Sequence, residues 1–192
     1  MSEKKMDVPT TEQLERELKR LRADARFRKA LRSTVGSLIV AAAIAVIIST
    51  MLLPVLRVTG SSMTPTLQND EVLLCSKLSE VRRGDIIAFY YNNKVLLKRV
   101  IALSGDVVNV TEDGTVYLNG EPLDEPYISE AARGECDITL PYQVPENRVF
   151  VMGDHRAVSI DSRSTAVGCV AEENVIGKVF VRILPLRSFS LL

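Results

Sequence analysis

The 192-residue chain reads as a mainly β protein, an antiparallel β-sheet domain anchored by one N-terminal transmembrane helix. Two observations carry that reading: a 24-residue stretch without charge from Ser33 to Leu56, and seven short runs beyond it rich in Val, Ile, Leu and Tyr, set apart by turn signals. With 46% apolar and 25% charged residues the composition is that of an ordered domain and excludes disorder. Formal net charge is zero and Trp is absent, so neither a basic field nor a stacking platform for nucleic acid exists.

The elements follow in order. Residues 1–32 hold ten Lys/Arg against six Asp/Glu, a basic cytosolic leader in which Leu14, Leu18 and Leu21 recur at helical spacing, so part of it is helical. Residues 33–56 form the transmembrane helix; at about 1.5 Å per residue the run reaches roughly 36 Å, more than a hydrocarbon core of about 30 Å. A buried core helix seldom stays uncharged for so long, and a cleavable signal peptide has a shorter apolar region. Arg26, Arg28, Lys29 and Arg32 precede the run whereas only Arg57 follows closely, which places the N-terminus in the cytosol and residues 57–192 outside it.

In that outer domain the strand-like runs are Glu71–Leu78, Asp85–Tyr91, Lys94–Leu103, Asp106–Val110, Thr115–Leu118, Arg148–Met152 and Val175–Leu184. Asn92-Asn93, Asp113-Gly114 and Asn119-Gly120 mark tight turns between them. Around 111–147 the pattern becomes an irregular excursion, densest in proline from Glu121 to Asn147. Cys75 reads as a small core residue, Cys136 with Cys169 is a candidate disulfide, and an odd count leaves at least one thiol unpaired in the chain. One histidine and no Cys/His ligand spacing argue against a zinc site.

Three polar segments stand out. Gly60-Ser61-Ser62-Met63-Thr64-Pro65-Thr66 suits a sharp turn that presents a hydroxyl and leaves a backbone N–H free. In the run Lys94–Leu103 a period of two sets Lys98 on one face with Leu96, Val100 and Ala102, and Arg99 on the other. A lysine among apolar neighbours loses hydration, which lowers its pKa toward a neutral amine able to act as a base; the bland alternative is an edge-strand lysine that discourages aggregation. Gly153-Asp154-His155-Arg156 through Ser159-Ile160-Asp161-Ser162-Arg163 is a polar loop in which Asp161 and Arg163 are expected ion-pair partners.

Together and in this order after one span, these segments resemble bacterial type I signal peptidase, a membrane-anchored serine protease family. The resemblance runs from the membrane segment to the C-terminus through Ser62-Met63-Thr64-Pro65-Thr66, Arg83-Gly84-Asp85-Ile86-Ile87-Ala88-Phe89, Lys98-Arg99 with Gly105-Asp106, Gly153-Asp154 with Asp161-Ser162-Arg163, and Arg182-Ile183-Leu184-Pro185. It implies a serine endopeptidase that removes signal peptides from secreted preproteins without metal or cofactor, with Ser62 as nucleophile and Lys98 as general base. Ser159 would orient Lys98 through a hydroxyl contact, Asp161 and Arg163 would support the loop, and Gly153 would permit close packing. The Ser62 N–H would be one oxyanion donor, while Gly60 stands where some members supply a serine hydroxyl.

His155 stands where asparagine is commoner, and it is the alternative base; in eukaryotic relatives, however, histidine replaces the lysine, and here that slot holds Lys98. The implied partners are preproteins with small side chains before the cut and the lipid of the cytoplasmic membrane, and no nucleic acid. Rival readings are a Ser-Lys protease of the self-cleaving repressor type, disfavoured by the span, and a silent anchored β domain, disfavoured by the presence of both Ser62 and Lys98.

Overall fold

The computed structural model describes residues 10–192. They divide into a helical unit up to Ser49 and a compact unit from Thr50 onward. Helix α1 runs from Thr11 to Leu52. Thr10 precedes it: the Leu14 N–H donates to the Thr10 carbonyl at 3.1 Å as the first helical bond, and the Thr10 N–H is capped by Gln13 Oε1 at 3.0 Å. From Val35 to Met51 its apolar side chains are exposed all round, with no protein cover. A helix of that texture needs an apolar solvent, which a lipid bilayer provides.

From Thr11 onward, leader and span are therefore one continuous helix. Its end differs from the expected one: the helix stops at Leu52, and Val55 and Leu56 begin a strand. Pro54 supplies the reason, because the residue before a proline is pushed out of helical geometry.

The second unit is built on two antiparallel sheets. Strands β1 (Val55–Arg57), β2 (Val72–Ser76), β3 (Ile86–Tyr91), β4 (Lys94–Ala102), β9 (Arg148–Met152), β10 (Val170–Ala171) and β11 (Val175–Leu184) lie in the order β1-β2-β11-β3-β4-β9-β10, and β12 (Ser190–Leu191) pairs with the far end of β11. The smaller sheet has the order β7-β6-β5-β8, from β5 (Val107–Val110), β6 (Val116–Leu118), β7 (Glu121–Pro122) and β8 (Tyr142–Gln143). Residues 111–147 are thus less irregular than the prolines suggest, because short strands at both ends of the segment complete this sheet. Strands of two or three residues leave little alternation to read, and β1, β7, β8, β10 and β12, unlike β6 between its two turn signals, carry no sequence signal.

Asn92 sits at the β3–β4 hairpin with φ 50°, and Asn119 and Gly120 join β6 to β7 with φ 54° and 88°, the positive values that a two-residue hairpin demands. The central strand β3 is buried on both faces. Ile86 and Ala88 pack with Val58, Met63, Leu67, Leu73 and Cys75, whereas Ile87 and Phe89 pack with Val100, Val149 and Val151. A third cluster, including Ile101, Ala102, Val108, Phe150 and Met152, joins the larger sheet to the smaller one. The β4–β9 register shifts between Val100 and Ala102, so Ala102 leaves the Lys98 face and joins Ile101 in this third cluster. All three cysteines are free thiols, Cys75 and Cys169 buried and Cys136 half-buried, so the candidate Cys136–Cys169 bridge is absent.

Candidate active site

Among the described residues eleven polar or charged side chains are buried, and seven of them lie between Asp154 and Ser164. Buried polar groups need partners, so the loop after β9 is where this fold has invested its hydrogen bonds. Asp161 and Arg163, both with fully buried side chains, form a two-point ion pair with N–O distances of 2.9 Å. Arg163 also donates to the carbonyls of Ala132, Arg133 and Arg156, at 3.2, 2.6 and 3.0 Å. Asp161 Oδ2 accepts the Gly153 N–H at 2.9 Å, so the pair fixes the first residue of the loop.

Gly153 is the point on which the site closes. A Cβ there would lie 2.2 Å from Ser159 Oγ and 2.5 Å from the Ser62 carbonyl oxygen, so close approach alone requires glycine. The Ser62 carbonyl also accepts the His155 N–H at 3.1 Å. On the other side, Arg99 of β4 pairs with Met152 of β9, and one step along that register sets Lys98 across from Gly153. Opposite residues of an antiparallel pair share a face, so the lysine side chain rises where Gly153 has none. Ser62 meets Gly153 and Ser159 of the loop after β9, and the β4–β9 pairing sets Lys98 beside them, so three separate segments build the site.

Lys98 is only 3% exposed and lies in the interior of the sheet between β3 and β9, so it is no edge-strand lysine. Burial pushes its amine down to about 8; the nearby Asp161 and Asp154 carboxylates pull the other way and Arg163 reinforces the drop. Arg99, its neighbour, points to the other face and is held by charge. It meets Asp154 through two hydrogen bonds of 2.8 and 2.6 Å, donates to the Gly84 carbonyl at 2.7 Å, and lies 3.9 Å over the Tyr127 ring. Asp154 also accepts from Thr66 Oγ1 at 2.5 Å, tying the loop to the turn that carries Ser62.

The turn itself is held from several sides. Gly60 adopts φ 93° and its N–H donates to Asn69 Oδ1 at 3.0 Å, so that N–H is already engaged. Among the described residues no acceptor takes the Ser62 N–H. His155 Nδ1 lies 3.0 Å from Thr64 Oγ1 and 3.3 Å from the Ser61 carbonyl, so this ring nitrogen buttresses the turn. Ser159 Oγ is buried with no hydrogen-bond partner, so the expected contact with Lys98 is not formed in this structure. Catalytic hydrogen bonds are often loose before substrate binds. Beside Ser62 opens a groove of about 340 Å³, floored by Leu56, Val58 and Met63 and walled by Val95, Leu96 and Leu97 of β4.

Sequence reasoning missed the buried roles of Asp154, Arg156, Glu125 and Tyr127. Their signal was weak: each is a common residue in a loop, and only the fold shows that they meet.

Known proteins resemble this chain over most of its length. Residues 31–184 match the family model described as signal peptidase, peptidase S26. A signal peptidase I of Bacillus licheniformis is 35% identical over 163 residues, covering 78% of this chain and 87% of the relative. Signal peptidase IB of Staphylococcus aureus is 32% identical over 185 residues, covering 85% and 95%. A solved signal peptidase I from Enterococcus faecalis shares 33% identity and a TM-score of 0.46, covering 53% of this chain and 98% of that one. With the family model spanning most of its length and relatives matched nearly end to end, the chain belongs to the signal peptidase family of serine peptidases.

Proposed function

We propose that this chain removes signal peptides from secreted preproteins with a Ser62–Lys98 dyad. The observation that carries the reading is a buried lysine whose amine falls to about 8, set across from the glycine that packs against both Ser62 and Ser159. Neutral Lys98 takes the Ser62 proton as the hydroxyl oxygen bonds to the scissile carbonyl carbon. Negative charge then gathers on the carbonyl oxygen, for which the uncommitted Ser62 N–H is an available donor. The Lys98 ammonium returns the proton to the leaving amine and leaves an ester on Ser62. Lys98, again neutral, takes a proton from water, whose oxygen attacks the ester; the second collapse frees the cleaved signal peptide and restores the serine. Ser159 Oγ, unpaired in the free enzyme, engages the amine once substrate is bound, and Asp161 with Arg163 keeps the loop in place.

The anchor is residues 33–52 of α1, in the cytoplasmic membrane with the basic leader in the cytosol and the catalytic domain outside, as the arginines and lysine before the span support. The partners are then preproteins arriving at the outer membrane surface, lying as extended strands in the groove beside Ser62, and the surrounding lipid. No cofactor enters the reaction. The test is cleavage of a preprotein by the detergent-solubilised full chain: wild type should cut, and Ser62→Ala and Lys98→Ala should not. Turnover by either variant, with contamination excluded, overturns the dyad.

A further inference from the structure

The stretch between β7 and β8 has no part in the dyad, yet it sends one carboxylate into the site's foundations. Glu125, whose side chain is 6% exposed, receives two hydrogen bonds from the fully buried Arg156, at 2.8 and 2.6 Å, and a third from the Tyr127 hydroxyl at 2.8 Å. Each partner leads onward to the same peptide. Arg156 Nε donates to the Gly153 carbonyl at 3.0 Å, so Gly153 is held at its carbonyl by Arg156 and at its N–H by Asp161. Tyr127 places its ring 3.9 Å beneath the guanidinium of Arg99, which holds Asp154, the residue after Gly153, and follows Lys98 in β4.

A buried ion pair is an expensive way to stabilise a fold, because desolvation consumes most of the Coulombic attraction and an apolar pair of the same volume serves as well. The use that justifies it here is geometric. We infer that Glu125 is a positioning residue for peptide-bond cleavage: through Arg156 and Tyr127 it fixes the Gly153-Asp154 peptide against β4 and so keeps the Lys98 amine dry and aimed at Ser62. The inference rests on the dyad reading above.

The charged groups that act on Lys98 are Asp161 and Asp154, which favour the ammonium, and Arg163, which opposes it. Glu125→Gln keeps the shape of the side chain and removes its charge. Loosening the loop should admit water to the amine and move the alkaline midpoint of kcat/KM upward from about 8. Simple loss of an anion, with Arg156 left unpaired, would move it downward, so the sign of the shift separates positioning from bare electrostatics.

The experiment uses the full chain in detergent with a preprotein substrate, comparing wild type, Glu125→Gln, Glu125→Asp, Tyr127→Phe and Lys98→Ala. Expected for Glu125→Gln is a fall in kcat of about ten- to a hundred-fold with KM little changed. The midpoint should rise, and Glu125→Asp should recover part of the rate. Tyr127→Phe, which keeps the ring under Arg99, tests the second arm without a charge change if the glutamine variant does not fold, and it should lower kcat in the same sense. Wild-type kcat in both variants, or a lowered kcat with the midpoint unmoved or moved down, overturns the inference while Lys98→Ala remains inactive. Activity in Lys98→Ala sinks the dyad reading itself.

Discussion

Replacing Lys98 by methionine should make the protein more stable and inactive at once. The amine falls from 10.5 to about 8 on folding because burial strips its hydration faster than Asp161 and Asp154 can restore it. At 1.36 kcal/mol for each pH unit, the protonated lysine costs the folded state about 3 kcal/mol. The sign follows from proton binding. The unfolded chain holds the proton more tightly, so this cost is fully present below about pH 8, shrinks as pH rises toward 10.5, and vanishes above it. Lys98→Met fills much of the same space without an ammonium and escapes the cost. Equilibrium urea unfolding of the full chain in detergent, followed by tyrosine circular dichroism, should show the variant ahead by up to about 3 kcal/mol at pH 7. The gap should close as pH approaches 10.5. A variant less stable than wild type at pH 7, or a gap that does not change with pH, would refute the claim that desolvation depresses this amine.

Two further outcomes follow from the same geometry. Gly153→Ala drives a methyl group into Ser159 Oγ and the Ser62 carbonyl, so it should cost about 1–3 kcal/mol of stability and lower kcat at least tenfold; unchanged melting and turnover would show that the loop has slack. His155→Ala removes a side chain that buttresses the Ser61–Thr64 turn, so most activity should remain and kcat/KM should still rise with pH through about 8. A dead variant whose partner Lys98→Ala still cuts would assign the base to the histidine.

How far the sequence speaks depends on how local each signal is. The span, the Asn92-Asn93 hairpin and the strands Arg148–Met152 and Val175–Leu184 were legible because each rests on periodicity or turn chemistry within a dozen residues. Lys98 was legible in part: alternation along one strand rightly gave it Leu96 and Val100 as apolar neighbours and wrongly added Ala102, which a register shift carries to another face. The two-residue strands and the Glu125–Arg156 pair were hidden, since nothing within a loop announces a partner 31 residues away. Asp161 and Arg163 were readable as a pair because they are two residues apart, while the Ala132 and Arg133 carbonyls that Arg163 also serves belong to a distant stretch of chain.

Strand β4 carries two cations side by side, and their fates divide the labour of the protein. In the proposed dyad Lys98 gives up its charge, whereas Arg99 never does and is met by a carboxylate. Which residue receives which environment is decided only by the parity of the strand, and that parity is set by the two-residue turn at Asn92-Asn93. An insertion or deletion of one residue that shifted the pairing would present a permanent guanidinium to Ser62 and strand the amine beside Asp154. The spacing of this hairpin is therefore part of the enzyme's chemistry, and length change there should be tolerated far less well than substitution.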